Sequence, residues 1–237
     1  MKRFGKAGRV YRRVFSAVMA LLLCISMPLN VWAVDVNLDN GDVTIGESDV
    51  GHYNDAKEPQ ISNHEGYVNV HSSGTTSNSV TVDTTSDPVI DSGSGDITTV
   101  PSSDSKPADV TVTLDNVNSN TSTTDEAAVD IQTGAGDKVT VELDGKNVLV
   151  SGDGHAGMEV TGGGKVTIQD ENSKEGSLNA TGGEGGAGIG GGAADLGNSI
   201  LISDSANVKV YGSADGDTGL GGGAGIGGGA GSMGKGI

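Results

Sequence analysis

The chain has 237 residues, with 14 Lys and Arg against 31 Asp and Glu, a formal net charge of −17, 41 glycines and 3% aromatic residues. Such acidity repels phosphate backbones and anionic lipid, which excludes nucleic acid and anionic membrane surfaces as partners. A single cysteine excludes a disulfide framework, so stability must come from backbone pairing, stacking or bound cations.

The basic residues Lys2, Arg3, Lys6, Arg9, Arg12 and Arg13 precede an apolar run, Val14 to Met27, and Val31-Trp32-Ala33 follows. That order predicts a secretory signal peptide over residues 1–33, cleaved after Ala33, and a product secreted or held at a bacterial cell surface. The run falls short of the roughly 20 residues a bilayer span needs, so no membrane contact is expected beyond the signal. This leader holds all four arginines, the only Trp, both Phe and the only Cys. The remainder carries 8 Lys against 31 acidic residues, a net of −23, and its aromatic residues are Tyr53, Tyr67 and Tyr211.

From residue 34 the pattern is strict alternation of Val, Ile and Thr, the period of a strand. Residues 34–85, with Val43-Thr44-Ile45, Tyr67 to Val70 and Val80-Thr81-Val82, read as opening coils. Residues 86–108, rich in Ser, Thr and Pro, read as an insertion or linker. Residues 109–237 then repeat a unit. Its first marker falls at Val112, Val141, Ile168 and Ile202, spaced 29, 27 and 34 residues, and its second at Ile131, Val160, Ile189 and Ile226. Each unit offers three short strands, and none could bury its apolar face alone. The prediction is an all-β, right-handed parallel β-helix with no substantial helix outside the signal peptide. Hairpins at Asp144-Gly145 and Asp153-Gly154 are the competing reading. Ile237 falls where another coil should begin, so a truncated chain is expected, its open strand edge inviting end-to-end self-association.

The runs VTVELDGKN, GHAGMEV, GGKVTI, GSLNATGG and GAGIGGG, within residues 66–237, resemble the Gly-rich β-helical repeat region of secreted Gram-positive surface proteins. That family is described as carbohydrate-binding and is related to a clostridial polysaccharide-binding β-helix. The resemblance implies a right-handed parallel β-helix, an extracellular location, and calcium and polysaccharide binding.

Several motifs bear on chemistry. Gly186-Ala-Gly-Ile-Gly-Gly191 and Gly223-Ala-Gly-Ile-Gly-Gly228 match a dinucleotide-binding turn, but they recur at the repeat period and more glycine follows where a helix is required. They read as tight turns between coils. Asp115, Asp144, Asp170 and Asp204 each leave the first strand of a unit, so stacking predicts a carboxylate column. Neighbours about 4.8 Å apart would repel, which makes these four the candidate calcium ligands. Turn capping by the same side chains is the alternative. His155, flanked by glycines, reads as a loop residue, and His52, His64 and His71 as surface imidazoles without metal-ligand spacing. No acid, base and cation set converges in the sequence, so the chain is read as no enzyme. The expected role is a secreted, non-catalytic surface module binding extracellular polysaccharide through the side of the β-helix, with calcium as its candidate cofactor. A structural stalk or adhesin repeat without sugar binding is the alternative, and a polysaccharide lyase or hydrolase ranks below both.

Overall fold

The computed structural model describes residues 34–45, 49–53, 59–63, 67–84, 107–172, 175–197, 199–213 and 222–232. The expected signal peptide, nearly all of the 86–108 insertion, His64 and the last five residues lie outside the described residues, as do the side chains of His52 and Tyr53.

Four coils each carry three strands. They are β7 (Asp109–Asp115), β8 (Asn118–Asn120) and β9 (Val129–Thr133); β10 (Lys138–Asp144), β11 (Lys146–Val150) and β12 (Met158–Gly162); β13 (Lys165–Gln169), β14 (Ser177–Thr181) and β15 (Ile189–Gly190); and β16 (Ile200–Ile202), β17 (Asn207–Tyr211) and β18 (Ile226–Gly227). Upstream, β1 (Val34–Asn37) with β2 (Asp42–Ile45), and β5 (Tyr67–His71) with β6 (Val80–Asp83), form two simpler coils. The strands stack into three sheets. The first runs β1-β5-β7-β10-β13-β16, the second β8-β11-β14-β17, and the third β2-β6-β9-β12-β15-β18. Every pairing between these coils is parallel, which makes the molecule the expected parallel β-helix. Among the described residues the one helical element is a single 3-10 turn, Leu38–Asn40.

The hairpins considered at Asp144-Gly145 and Asp153-Gly154 do not form, since β10, β11 and β12 all pair in parallel with neighbouring coils, but an antiparallel ribbon occurs elsewhere. β3 (Asp49–Tyr53) and β4 (Pro59–Asn63) pair antiparallel with β2 and with each other, extending the third sheet beyond its first coil. The opening segment is therefore two coils with an antiparallel ribbon between them. The ribbon gives the outer edge of β2 a partner, and an unpaired edge is a template for aggregation.

The first-marker column is in perfect register and longer than expected: Val34, Val68, Val112, Val141, Ile168 and Ile202 stand one above another. The second marker slips. Ile131 pairs with Val160, but Ile189 stands over Met158, two residues earlier, and Ile226 over Ile189. A shift of two keeps the side chain on the same face of the strand, so Ile131, Val160 and Ile189 are all fully buried. In the last coil Ile202, Val208, Val210 and Ile226 are only half-buried, since no described coil lies beyond them. The core is aliphatic throughout, with Leu, Ile, Val, Ala and Met and no aromatic residue among the described positions. Each fully buried large member is worth on the order of 1.5 to 3 kcal/mol.

Polar groups join the coils where the strands end. Asn147, wholly buried, accepts from the Val117 amide of the preceding coil at 2.8 Å and donates to the Ser177 carbonyl of the next at 3.2 Å and to Asp144 at 3.1 Å. Carboxylates act alike: Asp42 accepts from the Ser79 amide at 2.8 Å, Asp137 from Ala108 at 2.9 Å, and Glu142 from Glu171 at 2.8 Å and Asn172 at 3.1 Å. The glycine motifs serve close approach. Gly190 lies at φ +133, and a Cβ on it would fall 1.9 Å from the Gly227 carbonyl oxygen, while one on Gly186 would fall 1.9 Å from that of His155.

Two substitutions test this. Asn147→Ala strands a buried amide and should cost about 3 kcal/mol, and Gly190→Ala should cost about 2 to 4 kcal/mol through strain and overlap. Urea unfolding followed by circular dichroism measures both. Losses below about 0.5 kcal/mol would contradict the assigned roles.

Candidate functional site

Inward positions of every strand carry the core, so chemistry can vary only on the outward columns, and these give the three sheets different faces. On the first sheet the columns are Asp109, Lys138 and Lys165; Tyr67, Thr111, Thr140, Thr167 and Leu201; and Asp35, Asn69, Thr113, Glu142 and Gln169. On the third, Thr44, Thr81, Asp130, Glu159, Gly190 and Gly227 align. The second sheet presents Lys146, Ser177 and Asn207; Asn118, Val148, Asn179 and Lys209; and Asn120, Val150, Thr181 and Tyr211.

The second face holds a groove of about 260 Å³, with Lys146, Ser177, Asn179, Asn207 and Lys209 along its sides and Asn147 and Leu178 at its base. Its outward side chains are uncharged or cationic. The Asn179 Oδ1 atom is buried and has no hydrogen-bond partner. A buried acceptor left unmade costs about 1 to 3 kcal/mol, and this one is shielded from the groove by its neighbours. Tyr211, 55% exposed, stands at the end of the adjacent column. Tyr67, 48% exposed, lies on the first sheet, so the two tyrosines do not share a face.

The four candidate calcium ligands do not form one column. Asp115 and Asp144 are in register, as the last residues of β7 and β10. Asp170 falls one position short, because Glu142 pairs with Gln169 and places Glu171 level with Asp144; Asp170 stands instead with Asp204, whose carbonyl accepts its amide at 3.3 Å. The turn after β13 causes the offset, since Glu142 holds its Glu171 and Asn172 amides. Turn capping accounts for much of the remaining contact. Asp115 accepts from the Asn116 side chain at 2.8 Å, Asp144 from that of Asn172, and Asp170 from the Gly176 amide at 2.9 Å. Among the described residues no three His, Cys, Asp or Glu groups gather in a metal-holding arrangement. The expected aligned set of four is thus two offset pairs.

His155 lies in a turn, as expected, but its environment was not legible from its neighbours in sequence. Its Nδ1 is 3.1 Å from Glu159 Oε2, which also accepts the Ala156 amide at 3.1 Å. Glu159 is in register with Asp130, which accepts from Gln132 Nε2 at 2.6 Å. Burial is the main cause that raises both carboxyls above their usual range, with Asp130 adding to the rise of Glu159 and Asp83 to that of Asp130. Glu126 is raised too, first by burial and then by Asp42. The cluster is closed over: a Cβ on Gly192 would fall 2.9 Å from Glu159 Oε2. His71, in β5, has Nε2 3.7 Å from Asp35.

Comparison with protein-family models, with curated proteins and with solved structures finds no match.

The buried carboxyls set the sign of a pH effect. A folded-state pKa raised above the unfolded value means that the folded chain binds the proton more tightly, so the penalty is present above the folded pKa and disappears as pH falls through it. Asp39 has the opposite sign, since hydrogen bonds from Ser73 lower it. The melting temperature should therefore rise from about pH 7 toward about pH 5 and fall again below about pH 4. In Asp130→Asn with Glu159→Gln the rise should flatten. A melting temperature that falls steadily from neutral pH would contradict the assignment.

Proposed function

We propose that the chain is a secreted, non-catalytic surface module that binds extracellular polysaccharide along the outer face of its second sheet. The observation that carries this reading is the groove built on β11, β14 and β17. Its walls are amide, hydroxyl and ammonium groups, and Tyr211 stands beside it with an exposed ring. Sugar rings match such a groove, with hydroxyls that pair with amide, hydroxyl and ammonium groups and C–H faces that pack on an aromatic ring. Successive rungs about 4.8 Å apart repeat at nearly the length of a pyranose residue, so a polymer lying along the coil axis meets one rung per sugar. The Gly-rich runs that resemble carbohydrate-binding surface repeats support the same role, and the leader-like first 33 residues support an extracellular setting.

The non-catalytic reading rests on where the acids lie. Asp130 and Glu159 sit on the third sheet, away from the groove and hydrogen-bonded to protein groups, and Glu159 lies against the Gly192 turn. The rival role, a stalk that binds nothing, draws on the first sheet, whose central rungs repeat one residue type at Thr111, Thr140 and Thr167.

Pull-down on insoluble polysaccharides separates the two. Binding should weaken about tenfold on Asn179→Ala and at least threefold on Tyr211→Ala, as expected for losing one polar and one stacking contact. A chain that stays in solution with every polymer favours the stalk. Calcium is the coupled variable, with the in-register Asp115 and Asp144 as its candidates. Calorimetry with calcium that shows neither heat nor a raised melting temperature removes it from the reading.

A further inference from the structure

Asn40-Gly41 is the one Asn-Gly dipeptide in the chain. It falls at the corner of the first described coil, where the 3-10 turn Leu38–Asn40 leads into β2. Asn40 is exposed, and Gly41 has no side chain to bar approach to its backbone nitrogen. That nitrogen donates to the Leu38 carbonyl at 3.4 Å, beyond the usual range of about 2.7–3.2 Å, so little holds it in place. The other described Asp-Gly corners differ. Asp144, before Gly145, is buried, and the Gly154 nitrogen, after Asp153, donates to the Glu184 carbonyl at 2.9 Å. Both also offer a carboxylate, a far poorer electrophile than a neutral amide.

We propose that Asn40 is a modification site, converting without an enzyme to aspartyl and isoaspartyl in the folded protein, and that this change loosens the first coil. The Gly41 nitrogen gives up its proton and bonds to Asn40 Cγ, the Cγ–Nδ2 bond breaks, and ammonia leaves with that proton. Water then opens the cyclic imide. Addition at Cγ gives an aspartyl residue, and addition at the backbone carbonyl gives an isoaspartyl one. Either product puts a new carboxylate between Asp39 and Asp42, and the isoaspartyl form also lengthens the backbone by a methylene. Both flanking acids hold the next coil, since Asp39 accepts from the Ser73 amide at 2.9 Å and Asp42 from that of Ser79 at 2.8 Å. Leu38, wholly buried, accepts the Asn78 side-chain amide at its carbonyl at 2.7 Å. Repulsion and a longer corner therefore act on the very contacts that flank the β1–β5 and β2–β6 ladders.

The test is incubation of the full chain in mildly alkaline buffer, folded and in parallel in urea, followed by peptide mapping with mass spectrometry and isoaspartyl methyltransferase labelling. In the folded chain Asn40 should convert several-fold faster than any other Asn or Asp among the described residues, with isoaspartyl as the main product. Asn40→Gln, whose longer side chain closes the ring poorly, should abolish the label at this corner. Hydrogen exchange on the aged chain should speed several-fold at the Ser73 and Ser79 amides and stay unchanged at Val141 and Ile168, in the central coils. Asn40→Asp, with the charge but not the added methylene, should give a smaller increase. Circular dichroism melts confirm that both variants fold, and the unsubstituted chain decides the matter without them. An Asn40 that stays intact in the folded chain while it converts in urea would overturn the site. Conversion that leaves exchange at Ser73 and Ser79 unchanged would overturn the loosening.

Discussion

Each strand is held by its equivalent one coil away, and this in-register parallel ladder is the constraint on which everything else depends. A single coil is too thin to bury its own apolar side chains, so neither the Val112 column nor the Ile131 column has a core until the neighbouring coils are in place. Ladders at the strand centres do not suffice, because the corners also expose backbone groups. There the chain uses its acidic and amide side chains as acceptors. Asp42, Asp137, Glu142 and Asn147 each take an amide from an adjoining coil, and thus a carboxylate excess that looks like a liability is employed in joining one turn to the next. Hydrogen bonds to charged groups are worth about 1.5 to 3 kcal/mol, more than neutral ones, which suits a core with no aromatic residue among the described positions.

The same ladder separates structure from recognition. Because inward positions alternate with outward ones, six stacked strands of the first sheet share an aliphatic interior while their outer columns remain free to differ. The third sheet devotes its outer column to closed acids and then to glycine, where Gly190 and Gly227 admit backbone approach that no side chain would permit. The second sheet alone combines an open groove, uncharged hydrogen-bonding side chains and ammonium groups among the described residues. A change in an outward column therefore leaves the interior untouched.

Much of the fold was legible because period two and a unit of nearly constant length are direct consequences of stacking. The Val112, Val141, Ile168 and Ile202 markers aligned as the sequence suggested, and the column continues upstream to Val34 and Val68. Slips occurred where turns differ in length. Val160 and Ile189 both follow glycine-rich turns, but the structure sets Ile189 over Met158, since parity preserves burial and leaves register open by two. Asp170 was misplaced for a related reason: one residue of difference after β13 is invisible to a spacing argument, although it separates two carboxylate pairs. The β3–β4 ribbon uses the same alternation as the coils, so no local signal marked it as antiparallel. The groove was out of reach altogether, because Lys146, Asn179 and Lys209 meet only through the register of three coils.

The direct measure of that register is the distance between spin labels placed along one outer column, at Tyr67→Cys and Leu201→Cys in a chain whose own Cys24 is replaced by Ser. These positions are joined through Thr111, Thr140 and Thr167, so they lie four rungs apart. Electron–electron resonance should give a narrow distribution near 19 Å, broadened only by the label linkers. A broad distribution, or a mean beyond about 30 Å, would mean that equivalent side chains are not stacked coil on coil, and the account of both core and groove would fail with it.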